Sequence, residues 1–307
     1  MDNFANNLNW NLLHTFMIVA QEKSMTHASQ VLHRTQPAIS QAIKRLEEAT
    51  EVKLLERNRS GLIPTQAGLD LLEQIKPIYA TISRMPLLLD QAPEGLVGKI
   101  IIAKIDQISH PLLDKVIMDF FKEHPKVDLE IKIASTEQVL RSVSLGAVTI
   151  GISDGVIPSQ LASYELLKEK HGLYCGSDHR FAGRAKISDA ELRTEPFVNF
   201  TADILGGKHM GDITAYRAKA SIGQHVRGHS SFVSEVRQMI EWGLGIGFLP
   251  IRSAEPYVKT GQLWRLPPFT NLPISPVYLI HNPDVYLTEV EQRFNKMISL
   301  NLNIISN

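Results

Sequence analysis

Residues 24–64 read SMTHASQVLHRTQPAISQAIKRLEEATEVKLLERNRSGLIP, and their spacing decides the first part of the fold. Ser24 stands where a helix N-cap belongs, with Met25, Ala28 and Leu32 following on one face of a short helix. His33-Arg-Thr35 leaves room only for a turn between two helices that meet at a steep angle. Thr35 is placed to cap the next helix, and Pro37 is tolerated in a first turn, where a backbone N–H has no partner to lose. In that helix Ile39, Ile43 and Leu46 fall inward, so Gln36, Pro37, Ser40, Gln41 and Lys44 share the outer side. Upstream, Leu12, Leu13, Phe16, Val19 and Ala20 form the apolar face of a preceding helix. Downstream, residues 53–63 predict two short strands about a Ser-Gly turn.

An outer face of amides, a hydroxyl and a lysine carries the donors and acceptors that read base edges and phosphates in a DNA major groove. Arg57 and Arg59 on the wing would then meet the backbone, and Arg34 in the turn is a further DNA-binding candidate. The pattern alone leaves a second reading open, a three-helix bundle whose polar face is merely solvated. Charge does not decide between them. The 307 residues hold 32 Lys and Arg against 32 Asp and Glu, and the segment from Arg34 to Arg59 holds six basic residues against four acidic ones. A balance this even argues against binding nucleic acid over the whole surface.

The rest of the chain changes character. KIIIAKI at 99–105, VDLEIKI at 127–133 and VTIGI at 148–152 are β-rich runs separated by helical stretches at 109–123 and 137–145. Alternation at this spacing predicts a parallel sheet covered by helices. Further runs follow at 172–176, 196–200, 225–229, 246–249 and 277–281, with a final helix over 287–300. Between the two regions, residues 91–98 hold one proline and two glycines, which marks a boundary. Before it, Leu69, Leu72, Ile75, Tyr79 and Ile82 form an apolar helical seam too long for one small core, which calls for a partner helix. Pro77 and Pro86 interrupt that seam, so a kink near 73–77 and fraying near Pro86 are expected.

The composition, 44% hydrophobic and 21% charged, is that of a folded multidomain chain. A single cysteine, Cys175, excludes an internal disulfide framework and fits a reducing compartment. The first residues lack the basic-then-apolar pattern of a secretory signal, and no apolar run approaches the ~20 residues of a membrane span. A soluble cytoplasmic protein with no membrane partner is the expectation.

Several motifs in fixed order carry a resemblance to a known family: Thr35-Gln-Pro-Ala-Ile-Ser40, Arg45-Leu-Glu47, Leu54-Leu-Glu-Arg57 and Pro64-Thr-Gln-Ala-Gly68. Residues 10–68 closely resemble the winged helix-turn-helix of LysR-type transcriptional regulators, and the remainder follows that family's layout more loosely. The resemblance implies an all-α winged helix-turn-helix N-terminal domain (1–66) and a dimerising linker helix (67–91). After a hinge (92–98) comes an α/β two-lobed, periplasmic-binding-protein-like effector domain (99–307). One lobe would hold 99–162 and 272–307 and the other 163–271, with crossings near 162–165 and 268–272. The implied partners are double-stranded DNA, a small-molecule effector and other copies of the chain in a homodimer or homotetramer, with RNA polymerase a further candidate. No cofactor, metal or catalysis is implied. Met25, Ser29 and Gln41 depart from residues common in relatives, and Gln41, where arginine is frequent, changes the contact available to DNA.

Effectors in such domains lie where strand ends meet helix starts. The candidates are Asp106, Gln107 and Ser109 after the first strand, Ser135 and Thr136 after the second, and Ser153 and Asp154 after the third. Phe200, Thr201, Ser231 and Phe232 are their counterparts in the second lobe. For each hydroxyl or carboxylate the competing role is an ordinary helix cap or turn; Ser109 is the expected cap of its helix. Two acids and no arginine among these loops point to a cationic or hydroxyl-bearing effector. Lys104 is the nearest base, in a direction that alternation does not settle.

Enzyme-like patterns dissolve on inspection. Gly243-Leu-Gly-Ile-Gly247 leaves a helix and enters a strand, the reverse of a dinucleotide loop. Gly228-His-Ser-Ser-Phe232 lacks the last glycine of a nucleophile elbow. His209, His225 and His229 have no cysteine or paired carboxylates at metal-ligand spacing, and Cys175 sits in an apolar run as a buried thiol. The alternative to a regulator is a small-molecule-binding or enzymatic α/β protein with an N-terminal helical dimerisation module.

Overall fold

The computed structural model describes residues 8–58, 61–89, 96–184, 186–201 and 211–302. The chain divides into two compact units, one reaching to Met85 and including Asp284–Tyr286, the other holding the remainder from Pro86.

In the first unit, α1 (Trp10–Glu22), α2 (Met25–Leu32) and α3 (Gln36–Thr50) are followed by β1 (Leu55–Asn58), β2 (Gly61–Pro64) and α4 (Gln66–Leu89). Ser24 caps α2 as the sequence predicts, its side chain accepting the His27 N–H, and His33 closes that helix in the left-handed region. The core forms where Phe16, Met17 and Val19 of α1 meet Ala28 of α2 and Ile39, Ile43 and Leu46 of α3, all essentially inaccessible to water. β1 and β2 pair antiparallel from Leu55 opposite Pro64 to Asn58 opposite Gly61, which makes the wing. Residues 59–60 of its turn lie outside the described residues.

Two local devices seat the wing. The Glu47 carboxylate accepts the backbone N–H groups of Leu54 at 2.9 Å and Leu55 at 3.3 Å, and Lys53 Nζ at 2.7 Å. The Thr65 hydroxyl donates to the Lys53 carbonyl at 2.7 Å and accepts the Gly68 N–H at 3.1 Å, so it caps α4 and binds it to the wing together. At Gly68 a Cβ would stand 2.2 Å from the Leu54 carbonyl oxygen, so the close approach requires glycine.

α4 corrects the expected interruption, for the helix runs unbroken past Pro77 and Pro86 to Leu89. Its seam is also partly consumed inside its own unit. Leu72 and Ile75 are buried, and Tyr79 stacks on His14 with ring centroids 5.2 Å apart. Packing on both sides of Pro77 offsets the hydrogen bond that proline removes.

The second unit begins with β3 (Gly98–Lys104), α5 (Pro111–Glu123), β4 (Val127–Ile133), α6 (Thr136–Ser144) and β5 (Ile150–Ser153). β3 pairs parallel to both β4 and β5, as the alternation predicts. The sheet is not wholly parallel, however. β11 (Ile274–His281) joins β5 antiparallel, and β6 (Ala162–Gly176) joins β11 antiparallel, because the chain returns directly from the second lobe instead of through a crossover helix. Helices α5 and α11 (Glu289–Asn301) cover one core, where Phe120 and Phe294 meet edge to face at 5.0 Å.

β6 is the connecting element. Residues 162–170 pair with β11, whereas 171–176 pair with β9 (Gly247–Pro250) and β10 (Leu263–Leu266). The change of partners along β6 falls between Lys170 and His171. The chain leaves β10 at Leu266 and enters β11 at Ile274. Around the second group of strands lie α7 (Asp189–Thr194), the parallel pair β7 (Phe197–Phe200) and β8 (Val226–Ser230), α8 (Gly211–Ala220), α9 (Val233–Glu241) and α10 (Ile251–Lys259). Phe197, Phe248, Ile240 and Leu249 form their core.

Candidate functional site

Two surfaces carry the chemistry, one in each unit. On α3 the structure brings Gln36, Pro37, Ser40, Gln41 and Lys44 together on the exposed side, with Arg34 exposed in the turn before it and Arg57 exposed on β1. Arg59 lies outside the described residues. Thr35 occupies the N-cap position of α3 but makes no side-chain capping bond, contrary to expectation. Gln36 Nε2 donates to the Thr26 hydroxyl at 3.2 Å, which ties the start of α3 to α2. Lys44 lies 3.7 Å from Glu48 one turn on, an exposed pair worth little in water. Its ammonium is thus available to exchange that partner for a phosphate.

In the second unit a cavity of about 180 Å³ opens where loops of both strand groups converge. Of the sequence-derived candidates, Asp106, Ser135, Thr136, Asp154, Phe200, Thr201 and Ser231 line it. Gln107, Ser109, Ser153 and Phe232 do not. Ser109 does not cap α5 either. His110 does so through Nδ1, and Ser109 instead accepts Arg252 through both its hydroxyl and its carbonyl. Ser153 is fully buried with its hydroxyl unpartnered, and Phe232 is the N-cap of α9 without a capping side chain.

Several lining residues are already engaged. Ser135 caps α6 in a reciprocal box with Gln138, the ordinary role weighed against ligand contact. The Thr136 hydroxyl donates to Asp154. Asp106 Oδ2 accepts the Ser234 N–H at 3.0 Å, supplying the first turn of α9 with the acceptor its own N-cap lacks. Lys104 does not line the cavity and donates to the Ile108 carbonyl at 2.6 Å.

Among the lining residues that sequence reasoning missed, besides Glu137 and Ser275, are Glu169 and His171, which stand two apart on β6 where its pairing partners change. Both are buried, at 8% and 3% exposure. Burial pushes the Glu169 carboxyl above its ordinary value, against the opposing field of Arg252. Burial also lowers His171 to about 4, so its ring is neutral at physiological pH, and Nδ1 has no partner. They fall where β6 changes from alternating exposure at 162–170 to continuous burial at 171–176, a change that the sequence itself does not display.

Fold and sites together are those of a DNA-binding regulator with an effector domain, and family comparison agrees with them. The lysR-family bacterial regulatory helix-turn-helix matches residues 10–69, and the LysR substrate binding domain matches 93–299. The chain belongs to the LysR family of transcriptional regulators, and it is a regulator, not an enzyme. A hydrogen peroxide-inducible genes activator of Pectobacterium carotovorum is 26% identical over 273 residues, spanning 88% of this chain and 89% of that protein. A probable RuBisCO transcriptional regulator of Trieres chinensis is 24% identical over 290 residues, spanning 92% and 94%. Among solved structures, a full-length OxyR variant from Pseudomonas aeruginosa superposes with a TM-score of 0.53 at 19% identity, covering 98% of this chain and 96% of that one. The LysR regulator CbnR gives 0.52 at 17% identity, covering 96% and 99%. Among the described residues no helix is long and apolar enough to cross a membrane.

Proposed function

We propose that α3 enters the major groove of double-stranded DNA and reads it through Gln36, Pro37, Ser40, Gln41 and Lys44, while Arg34, Arg57 and Arg59 hold the phosphates. The observation that carries this reading is the joint exposure of the five α3 residues on one side of a helix whose opposite side is the core. The chain acts as a homodimer or homotetramer through α4, where Ile78 and Met85 stay exposed one heptad apart after Leu72 and Ile75 are buried. Two α3 helices then meet successive major grooves of a near-palindromic site. The compartment is the cytoplasm, where the chain meets DNA and RNA polymerase.

The cavity between the lobes, 99–162 with 272–307 and 163–271, takes the effector, and its occupancy shifts the equilibrium between arrangements of the lobes. Asp106, Thr136, Asp154, Phe200, Thr201 and Ser231 are the contacts kept from the sequence candidates, and their convergence on one cavity supports the assignment. Ser135, consumed as a cap, contributes shape, and Gln107, Ser109, Ser153 and Phe232 do not line the cavity.

The test is binding of the full chain to the DNA upstream of its own gene at several salt concentrations. Affinity is expected to fall linearly on a log–log plot as salt rises, from counterion release at the phosphates. Gln41→Ala with Lys44→Ala is expected to remove preference for that site. Unchanged site preference in the double variant rules out the recognition face.

A further inference from the structure

The charge on the cavity wall is one-sided. Asp106, Glu137, Asp154 and Glu169 all line it, and among the described residues no lysine or arginine does. The two nearby bases are turned to main-chain acceptors, Lys104 to the Ile108 carbonyl and Arg252 to Ser109. Arg252 acts on the wall only as a field that partly offsets the burial of Glu169. A wall of this sign repels a carboxylate ligand unless several of its own acids are protonated.

A second, independent observation lies at the crossing of β6. His171 is 3% exposed, lines the cavity and has an Nδ1 with no partner. Burying a polar atom without a hydrogen bond is costly, so such atoms mark places where a ligand or water completes the structure. Glu169 beside it is a buried carboxyl held toward its neutral form by desolvation. An incoming cation reverses that cost by giving the carboxylate a counter-charge where water cannot. The rest of the wall sets an apolar part, with Ile105, Ile108, Phe200 and Val277, beside hydroxyls such as those of Thr136 and Thr201. The volume of about 180 Å³ is close to the ~150 Å³ of cavities that hold one benzene ring.

We propose that this cavity is selective for a compact organic cation, a primary ammonium on a small apolar body, whose N–H groups are taken by Glu169 and by His171 Nδ1. The inference rests on the cavity being the effector site and names the chemical class of the effector. Glu137, Asp106 and Asp154 supply the field that draws the ammonium in and turns its carboxylate counterpart away. His171 is suited to this because a neutral imidazole accepts a hydrogen bond, whereas a charged one repels the ligand.

The experiment compares probes matched in shape and opposite in charge, benzylamine with benzoate and butylamine with butyrate, by calorimetry and thermal shift on the full chain. The amines are expected to bind and raise the Tm, and the carboxylates are not. Glu169→Gln is expected to weaken benzylamine at least tenfold. If that variant fails to fold, Glu137→Gln, at an exposed position, is expected to weaken the same probe several-fold. Binding of carboxylates alone, binding of neither set, or unchanged benzylamine affinity in whichever of these variants folds overturns the proposal. Carboxylate binding that is lost in Thr136→Val leaves the cavity as the effector site and removes only its preference for cations. Carboxylate binding unaffected by Thr136→Val removes the effector-site reading as well.

Discussion

The Glu47 carboxylate accepts the backbone N–H of Leu54 at 2.9 Å and so joins α3 to the wing. Burial alone raises the Glu47 pKa, but the hydrogen bonds from Lys53, Leu54 and Leu55 outweigh it and hold the group below its ordinary value of 4.5. A carboxylate held low in the folded state stabilises the fold at pH above its unfolded value, and that contribution is lost as pH falls through the folded value. Glu47→Ala is expected to cost about 1–3 kcal/mol at pH 7, because two backbone donors lose their acceptor. Denaturant melts across pH 3–7 check this, and the gap from wild type is expected to close at the acid end. A gap independent of pH counts against the ionised carboxylate as its source.

Gly68 makes a second prediction about the same junction. A methyl group there would stand 2.2 Å from the Leu54 carbonyl oxygen and 3.2 Å from Pro64 Cβ. The first obstacle is main chain, so relief requires moving the wing. Gly68→Ala is expected to destabilise by about 1–3 kcal/mol despite alanine's better helix propensity. Operator affinity is expected to fall with it, since the displaced wing carries Arg57. A gel-shift titration paired with a thermal melt reads both, and a stabilised variant refutes the close approach.

These junctions explain why the first unit was legible. Ser24, Ile39, Ile43 and Leu46 act within one or two turns of themselves, where spacing alone places them. The helix continues through Pro77 because the proline's cost is local, whereas what offsets it, buried Ile75 before and stacked Tyr79 after, lies on α4's contacts with its own unit. In the second unit the strand ends were legible and gave seven of the cavity residues, Asp106 and Thr136 among them. Glu169 and His171 were not, because they sit mid-strand on β6, where one continuous run serves two sets of partners. Only the register tells where one set ends.

Cys175 separates this chain from a thiol-based response. It lies on β6, fully buried, and burial followed by the Glu195 charge pushes its thiol up to about 12. The reactive species is the thiolate, which is scarce at neutral pH in such a site. Native protein is expected to resist an aromatic disulfide reagent over minutes and to show one thiol per chain once denatured. Cys175→Ala is expected to leave operator binding unchanged with and without hydrogen peroxide. Rapid labelling of the native chain, or a peroxide effect that vanishes in the variant, overturns this.

Asp106 and Ser234 link the two strand groups across the cavity, and the link is a helix cap supplied from outside the helix. Phe232 offers α9 no side-chain acceptor, so Asp106 Oδ2 takes the Ser234 N–H at 3.0 Å and sets a negative charge at the positive end of α9. Asp106→Ala is expected to cost about 1–2 kcal/mol, and Asp106→Asn, which keeps an acceptor oxygen, less than half of that. The distinguishing measurement is hydrogen exchange in the first turn of α9. The alanine variant is expected to exchange there several-fold faster while β3 is unchanged. Equal protection in α9 would mean that Asp106 does not hold the lobes together, and the cavity would then need another closure.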